Sequence, residues 1–552
     1  MRFQEKLLEY SKEEIWEEYC GFLTLSMEEF MDIQKRLLLE QMEIWSSSTL
    51  GQSILKGKKP TTIEEFRTMV PLTAYEDYAP TLLSKQTKAL PGEPVLWIKT
   101  TWEGGVHPTK TAPYTKGMLD TFKHNLISCM ILSTSRKKGD FDISVTDHML
   151  YALAPLPYMT GLLPLLFKDE IDVEFLPSVK DAVNMTFAER NIQGFKLGMK
   201  KGIEYFFGLG SVLYYVSQSI TSMKSGSSKS QKSGGILEKL SSISPTMLLR
   251  FMMAKRSCRK ENRDLLPKDL FQLKGFMCAG TDNRCYKADL ERMWGIAPME
   301  IFAGTEPTCI GCETWSREGV YFFPDACFYE FIPEDEMNKN IDDPSYQPRT
   351  VLWDEVVAGG IYELVLTVFK GGAFARYRVG DVFQCTGIGS KTEGNAIPRF
   401  QYIDRIPQII DIAGFTRITE KSINQAIELS RLPIEMWTAK KEYSENNRPY
   451  LHIYVELQRD HLINSAVSIR ILQDQLGIYF RYLDQDYEDL KKILGIDPLK
   501  ITMMKCGTFA AFEKKFGAPI RKINPDACEI NDLLVCHQSY TLEIGGGINE
   551  WI

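Results

Sequence analysis

The sequence predicts an α/β protein with a large N-terminal domain and a small α+β C-terminal domain. Three stretches lead to this. Leu273 to Ala279 is an apolar run and Gly280-Thr281-Asp282 is turn chemistry. Lys287 opens a helical stretch through Trp294, Gly295 closes it, and residues 297–303 are apolar again. This strand-turn-helix-strand order belongs to sheets that bind ligands at the carboxyl ends of their strands. Ile361 to Phe369 is β-branched and aromatic with partial alternation, and Lys370-Gly371-Gly372 supplies a turn whose glycines tolerate positive φ. Tyr377 to Asp381 then enters a further strand through Val382 and Phe383. Beyond Phe400 to Arg405 the order of strand, loop and helix signals starts afresh around Gly414. The expected division is residues 1–403 and 404–552.

The remaining elements follow in chain order. Residues 1 to about 58 are helical, with Leu37, Leu38, Leu39, Met42 and Ile44 among Glu, Lys and Gln and a break at Ser46 to Thr49. Thr61-Thr62 before Glu64-Glu65 caps a short helix. Val95 to Ile98 is a short buried strand, Leu119 to Leu132 an amphipathic helix, and Tyr151 to Tyr158 an apolar strand running into a Pro-rich loop. Gly202 to Ile220 is aromatic and rich in small residues, a buried helix or pocket wall. Lys224 to Gly235 is Gly/Ser/Lys-rich surface loop. In the C-terminal part, Ser422 to Ser430 and Ser465 to Leu483 are helical. Leu451 to Leu457 alternates as a half-buried strand, and residues 501–516 hold a strand and a short helix.

Bulk properties narrow the function. At 552 residues with 44% hydrophobic and 25% charged side chains, the chain can bury a large core, so wholesale disorder is not expected. The net charge of −7 gives no overall basic footprint, and nucleic acid is not the expected partner. Met1 to Cys20 is dense in Glu and Lys without an apolar core, so no secretory signal is expected, nor is a membrane span. Twelve scattered cysteines suit a reducing cytoplasm. Cys309-Ile310-Gly311-Cys312 lacks the second pair that a structural zinc site would need. No nucleophilic triad stands out among six histidines, which disfavours covalent hydrolysis.

Two motifs carry chemistry. Glu300 to Glu306 ends in Gly304-Thr305-Glu306: a glycine admits close backbone approach, a Thr hydroxyl can donate to a phosphate oxygen, and a carboxylate is a hard Mg²⁺ ligand. In Ala375-Arg376-Tyr377-Arg378-Val379-Gly380-Asp381, the Asp can accept hydrogen bonds from paired hydroxyls, as on a ribose, or simply close a hairpin. Both resemble signatures of the adenylate-forming superfamily and, more closely, of the acyl-acid amido synthetases, the auxin-responsive amino-acid conjugating enzymes. Thr62 to Phe66, Val70 to Leu72, Tyr75 to Tyr78, Gly275 to Tyr286 and Cys506 to Phe509 are similar to that family in the same order.

The resemblance implies a large adenylate-forming domain with mixed sheets and a mobile small domain hinged at Asp404–Arg405 near Gly414. It implies ATP and Mg²⁺ as cofactors, and a carboxylic acid and an amine, such as an amino acid, as substrates. Carried over by position, Thr305 binds the α-phosphate, Glu306 is the Mg²⁺ ligand and a catalytic residue, Asp381 contacts the ribose hydroxyls, and Arg405 contacts ribose or phosphate. Gly280, Thr281 and Gly304 line the nucleotide site. Thr100 to Lys110 takes the place of the phosphate loop, with Thr101, Gly104, Gly105 and Lys110 as its contacts. Its distal end, Lys110 to Thr115, matches the family, whereas Trp102, Glu103, Gly104, Gly105 and Val106 replace a Ser-Gly-Thr-Thr-Gly-like core. Either Gly104-Gly105 cradle phosphate through N–H groups, or ATP binding is weakened. Near the C-terminus, Phe516 to Lys522 supplies the catalytic cation, Lys522 or its neighbour Arg521. The expected activity is an ATP-dependent acid–amine ligase. An acyl-CoA ligase and a non-catalytic nucleotide-binding relative are the alternatives.

Overall fold

A computed structural model describes residues 1–100, 109–151, 156–183, 185, 187–222, 244–414, 416–458, 469–483, 487, 491 and 496–545. The chain forms two compact units, divided between Asp404 and Arg405.

In the first unit, capping chemistry sets the opening helices. Ser11 and Ser26 each accept from the backbone N–H three residues on, and Glu14 and Glu29 reach back to the cap N–H at 2.8 Å. Ser48 ends the helix Met27–Ser47 and caps Thr49–Leu55, and Thr62 accepts from Glu65 N at 3.1 Å to start Ile63–Met69, as the sequence predicted. The long helix Met27–Ser47 uses its inner face to hold backbone that no strand satisfies. Gln41 bonds Gly371 N at 2.8 Å and Gly372 O at 2.9 Å, and Trp45 Nε1 donates to Ala373 O at 2.8 Å. The Lys370–Gly372 turn, with Gly371 at φ +81°, is thereby fixed from outside its own hairpin.

The sheet of this unit has eleven strands, mixed as the resemblance implied. Glu174–Leu176, His148–Tyr151, Tyr205–Leu209, Gly275–Ala279 and Met299–Gly304 run parallel. Thr308–Glu313, Val320–Phe322, Asn395–Arg405, Tyr377–Ser390, Ile361–Val368 and Cys327–Pro333 continue it, with antiparallel pairing wherever the register is defined. A stack of rings, Phe322, Phe331, Trp353, Phe383 and Phe400, fills one side of the antiparallel half. A separate hairpin pairs Leu96–Lys99 with Thr111–Tyr114 and leads into the helix Lys116–Thr134.

Three expectations need correction. The helix after Gly280 starts at Asn283, not Lys287, because Asp282 takes a left-handed φ of 60° that turns the chain early. Of Val95 to Ile98 only Ile98 is buried, since the hairpin is two strands wide. The strand expected at Tyr151 to Tyr158 begins upstream, at His148, and residues 156 and 157 are a turn, while 152–155 lie outside the described residues.

The second unit has a three-stranded sheet, Ile434–Tyr443, Pro449–Leu457 and Leu499–Met504, antiparallel then parallel. The described helices beside it include Glu420–Ser430, Ile469–Leu483, Thr508–Phe516 and Ala527–Gly545. The alternation of Leu451 to Leu457 is real, but both faces are buried. Leu451, Ile453, Val455 and Leu457 enter one core, and Tyr454 a second one with Phe509, Phe512 and Leu533. The polar residues of that second face are satisfied internally: His452 bridges Glu442 at 2.7 Å and Thr502 at 2.8 Å. Glu456 accepts from Gly507 N at 2.5 Å and Phe509 N at 3.1 Å.

Candidate active site

Three neighbouring parallel strands end together, so Gly210, Gly280-Thr281 and Gly304-Thr305 share the carboxyl edge of the sheet. Asn283 ties two of these ends, donating to Gly280 O at 2.8 Å and accepting from Gly210 N at 3.2 Å. Met299–Gly304 is parallel to one neighbour and antiparallel to the other, so strand direction changes here. The Gly304–Thr308 turn, which carries Thr305 and Glu306, stands at that change.

Glu306 is 6% exposed. Tyr377 Oη donates to its Oε1 at 2.8 Å, and Lys110 Nζ lies 3.9 Å from the same oxygen and 3.4 Å from Tyr377 Oη. The ammonium also sits 5.3 Å over the Tyr75 ring. Among the described residues Oε2 accepts no hydrogen bond. A buried carboxylate with one oxygen engaged and one free fits a hard cation, and the ammonium beside it fits a phosphate oxygen. Tyr114 Oη donates to Thr305 O at 2.7 Å, and burial, then the charge of Glu306, push its phenol far above the ordinary range. Tyr75 Oη accepts from Thr111 N at 2.7 Å, and burial raises its phenol too.

Asp381 follows on the strand that carries Tyr377. Glu363 pairs with Val382 and Val365 with Arg378, so three residues, Val379, Gly380 and Asp381, stand opposite Leu364 alone. Gly380 takes φ +80° in this bulge. Bulges commonly lie next to sites, and Asp381, 4% exposed, sits within this one. The segment ahead of it is fixed on both sides. Arg376 forks onto Glu330 with two 3.0 Å bonds, and Arg378 onto Glu363 at 2.8 and 2.6 Å. Thr73 pairs with Tyr377 as an isolated parallel bridge, and Tyr78 Oη bonds both the N–H and the carbonyl of Ala375 at 3.0 Å.

The predicted phosphate loop hangs from a closed neck. Thr100 N donates to Lys110 O at 3.0 Å and Lys110 N to Thr100 Oγ1 at 3.2 Å. Thr101, Gly104, Gly105 and Glu103 between them lie outside the described residues. The structure therefore groups Lys110, Gly304, Thr305 and Glu306 with Tyr377, places Asp381 four residues further along that strand, and puts Gly280 and Thr281 at the end of the adjoining strand. Arg405 and Lys522 belong to the second unit. There, Lys522 Nζ lies 4.9 Å over the Trp437 ring and burial lowers its pKa against the pull of Glu420, whereas the exposed Arg521 sits 3.7 Å from Glu529. A cavity of about 850 Å³, walled in part by Glu204, Lys274 and Arg317, opens at the other, amino-terminal edge of the same strands and includes none of the predicted site residues. Sequence reasoning assigned no role to Tyr377, Tyr114 and Tyr75. Their presence inside or beside the quoted motifs was the available signal.

Residues 320–405 match the GH3 family central domain. The chain is 28% identical over 216 residues to jasmonoyl–L-amino acid synthetase JAR4 of Nicotiana attenuata, covering 37% of this chain and 34% of that one. It is 32% identical over 201 residues to indole-3-acetic acid-amido synthetase GH3.4 of Arabidopsis thaliana, covering 35% and 32%. The match thus spans about a third of the length of these relatives. In three dimensions the chain is similar to 2-hydroxyisobutyryl-CoA ligase bound to 2-HIB-AMP and CoA, with a TM-score of 0.56 at 15% identity over 88% of this chain and 87% of that one. That likeness establishes the fold. Residues 320–405 thus resemble the GH3 central domain, and about a third of the chain is similar to plant amino-acid amido synthetases.

Proposed function

We propose that the protein activates a carboxylic acid with ATP and transfers the acyl group to an amine such as an amino acid. The observation that carries this is the Lys110–Tyr377–Glu306 cluster at the carboxyl edge, with Asp381 in the bulge of the same strand. A substrate carboxylate attacks the α-phosphorus of ATP, and pyrophosphate leaves. The amine then attacks the acyl carbonyl of the adenylate, loses a proton and releases AMP. The transition state of the first step gathers negative charge on phosphoryl oxygens, which Lys110 and the Thr305 hydroxyl would meet. Glu306 would hold Mg²⁺, which supplies further charge neutralisation when bound. Tyr377 keeps the Glu306 carboxylate oriented, and Asp381 accepts from ribose hydroxyls. Lys522 serves as the cation of the small domain, residues 404–552, and Arg405 as a ribose contact at its start. The half-buried setting of Lys522 favours it over Arg521.

Pyrophosphate exchange over a panel of carboxylic acids tests adenylation, and product mass with an amino-acid mixture against CoA tests the acceptor. Exchange with amide products supports the reading, and thioester products would make the chain a CoA ligase. Absence of exchange across the panel, with no ATP binding, would leave a non-catalytic relative.

A further inference from the structure

The helix Pro245–Lys260 is built unlike the surface around it. It carries Arg250, Lys255, Arg256, Arg259 and Lys260 and no acidic residue, on a chain whose net charge is −7. Among the described residues none of these five cations has a carboxylate within 4 Å. Arg250 donates to the Leu270 carbonyl at 2.9 Å, and Lys255 lies over the Phe251 ring at 5.9 Å. Nearby acids are already engaged: Arg263 pairs with Asp269 at 2.8 Å and with Glu261 at 2.5 Å.

The same helix turns apolar side chains to water. Leu249, Met252 and Met253 are 57%, 55% and 64% exposed. Their spacing continues through Arg256 and Lys260, so three apolar and two basic side chains share one face, apolar in the first half and basic in the second. Only Met247 and Cys258 are buried on the opposite side. A helix packed for the fold alone would turn its Leu and Met inward and balance its cations.

We infer that this helix is a docking surface for an anionic lipid bilayer, lying on the membrane with Leu249, Met252 and Met253 entering the acyl boundary and the cations meeting lipid phosphates and carboxylates. The pairing of insertable apolar side chains with unpaired cations selects this partner. A nucleic acid would use the cations alone and offers nothing to Met252 and Met253, and no described helix spans a membrane. The surface makes no use of the nucleotide-site residues, so the inference stands or falls apart from the proposed ligase activity.

Co-sedimentation of the full chain with vesicles of phosphatidylcholine alone, or with 30% phosphatidylserine (on the order of cytoplasmic-leaflet charge), tests it. Expected is at least tenfold stronger partitioning to the anionic vesicles, lost in high salt. The variant K255E/R256E/R259E/K260E should lose it entirely, and M252D/M253D should weaken it several-fold. Five of the six positions are exposed and Lys255 is partly exposed, and a thermal melt matching the parent shows that the variants fold. Equal binding to neutral vesicles, or no binding to anionic ones, would overturn the inference. So would undiminished binding by the charge-reversal variant, or M252D/M253D partitioning as the parent does.

Discussion

Two segments that the resemblance assigns to catalysis are held in opposite ways. Ala375 to Asp381 is fixed by side chains from distant parts of the chain: Glu330 grips Arg376, Glu363 grips Arg378, and Thr73 and Tyr78 grip the backbone. Arg521 and Lys522 are held mainly through their backbone, with one ring contact and one ion pair at their side chains. Ala439 N donates to Lys522 O at 2.8 Å and Thr438 Oγ1 to Arg521 O at 2.6 Å, leaving both side chains outside the sheet's bonding. The first has a geometry that is costly to disturb. The second presents a cation on a stem that costs little to change. Stability effects should therefore concentrate in the first segment, and effects of the second should be almost purely kinetic.

The largest effect is expected from Arg376→Ala, which leaves Glu330, 1% exposed, without its main partner. Breaking a buried pair from one side costs about 3–5 kcal/mol, and urea denaturation should show a loss of that size. A loss under 1 kcal/mol would mean that Arg67, 3.2 Å from Glu330, suffices to hold the site. Next, Asp381→Ala should weaken ATP binding by about 1.5–3 kcal/mol, as for hydrogen bonds to a charged group, read by titration calorimetry on folded protein. Unchanged affinity would remove Asp381 from the site. Tyr377→Phe deletes one hydrogen bond to Glu306, so about 1 kcal/mol of stability should go, while pyrophosphate exchange falls roughly tenfold. Equal rates would show that Lys110 alone orients the carboxylate.

Lys522→Met should have the smallest stability effect. Burial depresses the folded-state pKa of Lys522, so its charge destabilises the fold at every pH below that pKa. The variant should be the more stable at pH 7, an advantage that shrinks as pH rises through the depressed pKa and is gone above the unfolded value of about 10.4. Its exchange rate should nevertheless drop by two orders of magnitude or more, in the range for removing a transition-state charge contact. A parallel drop in thermal stability would refute the contrast between the two segments.

The same contrast explains what was legible in the sequence. Ile361–Val368, the Gly304-Thr305-Glu306 turn and the Tyr377 strand could be read because their chemistry is local: β-branched runs, glycines and a few charged types at fixed spacing. What fixes them could not be read. Glu330 and Arg376 are 46 residues apart and Tyr78 and Ala375 297, and no periodicity links them. Leu451 to Leu457 shows the limit in another form. Its polar alternation was correctly seen, but whether His452 and Glu456 face water or a helix depends on residues 508–545, which pack only in three dimensions. The neighbouring cations Arg521 and Lys522 are indistinguishable as text and are separated only by the Trp437 ring beneath one of them.

The closed neck formed by Thr100 and Lys110 has a consequence for how this chain can change. The two ends are bonded to each other, and Tyr75 and Tyr114 bind Thr111 and Thr305 below them, so the neck is held by contacts outside positions 101 to 108. Doubling the length of such an insert costs only about 0.6 kcal/mol in closure entropy. On this count an insert of another length between Thr100 and Lys110 would leave Lys110 and Glu306 where they are. A chain with Trp-Glu-Gly-Gly-Val where relatives carry hydroxyls is what such freedom would produce.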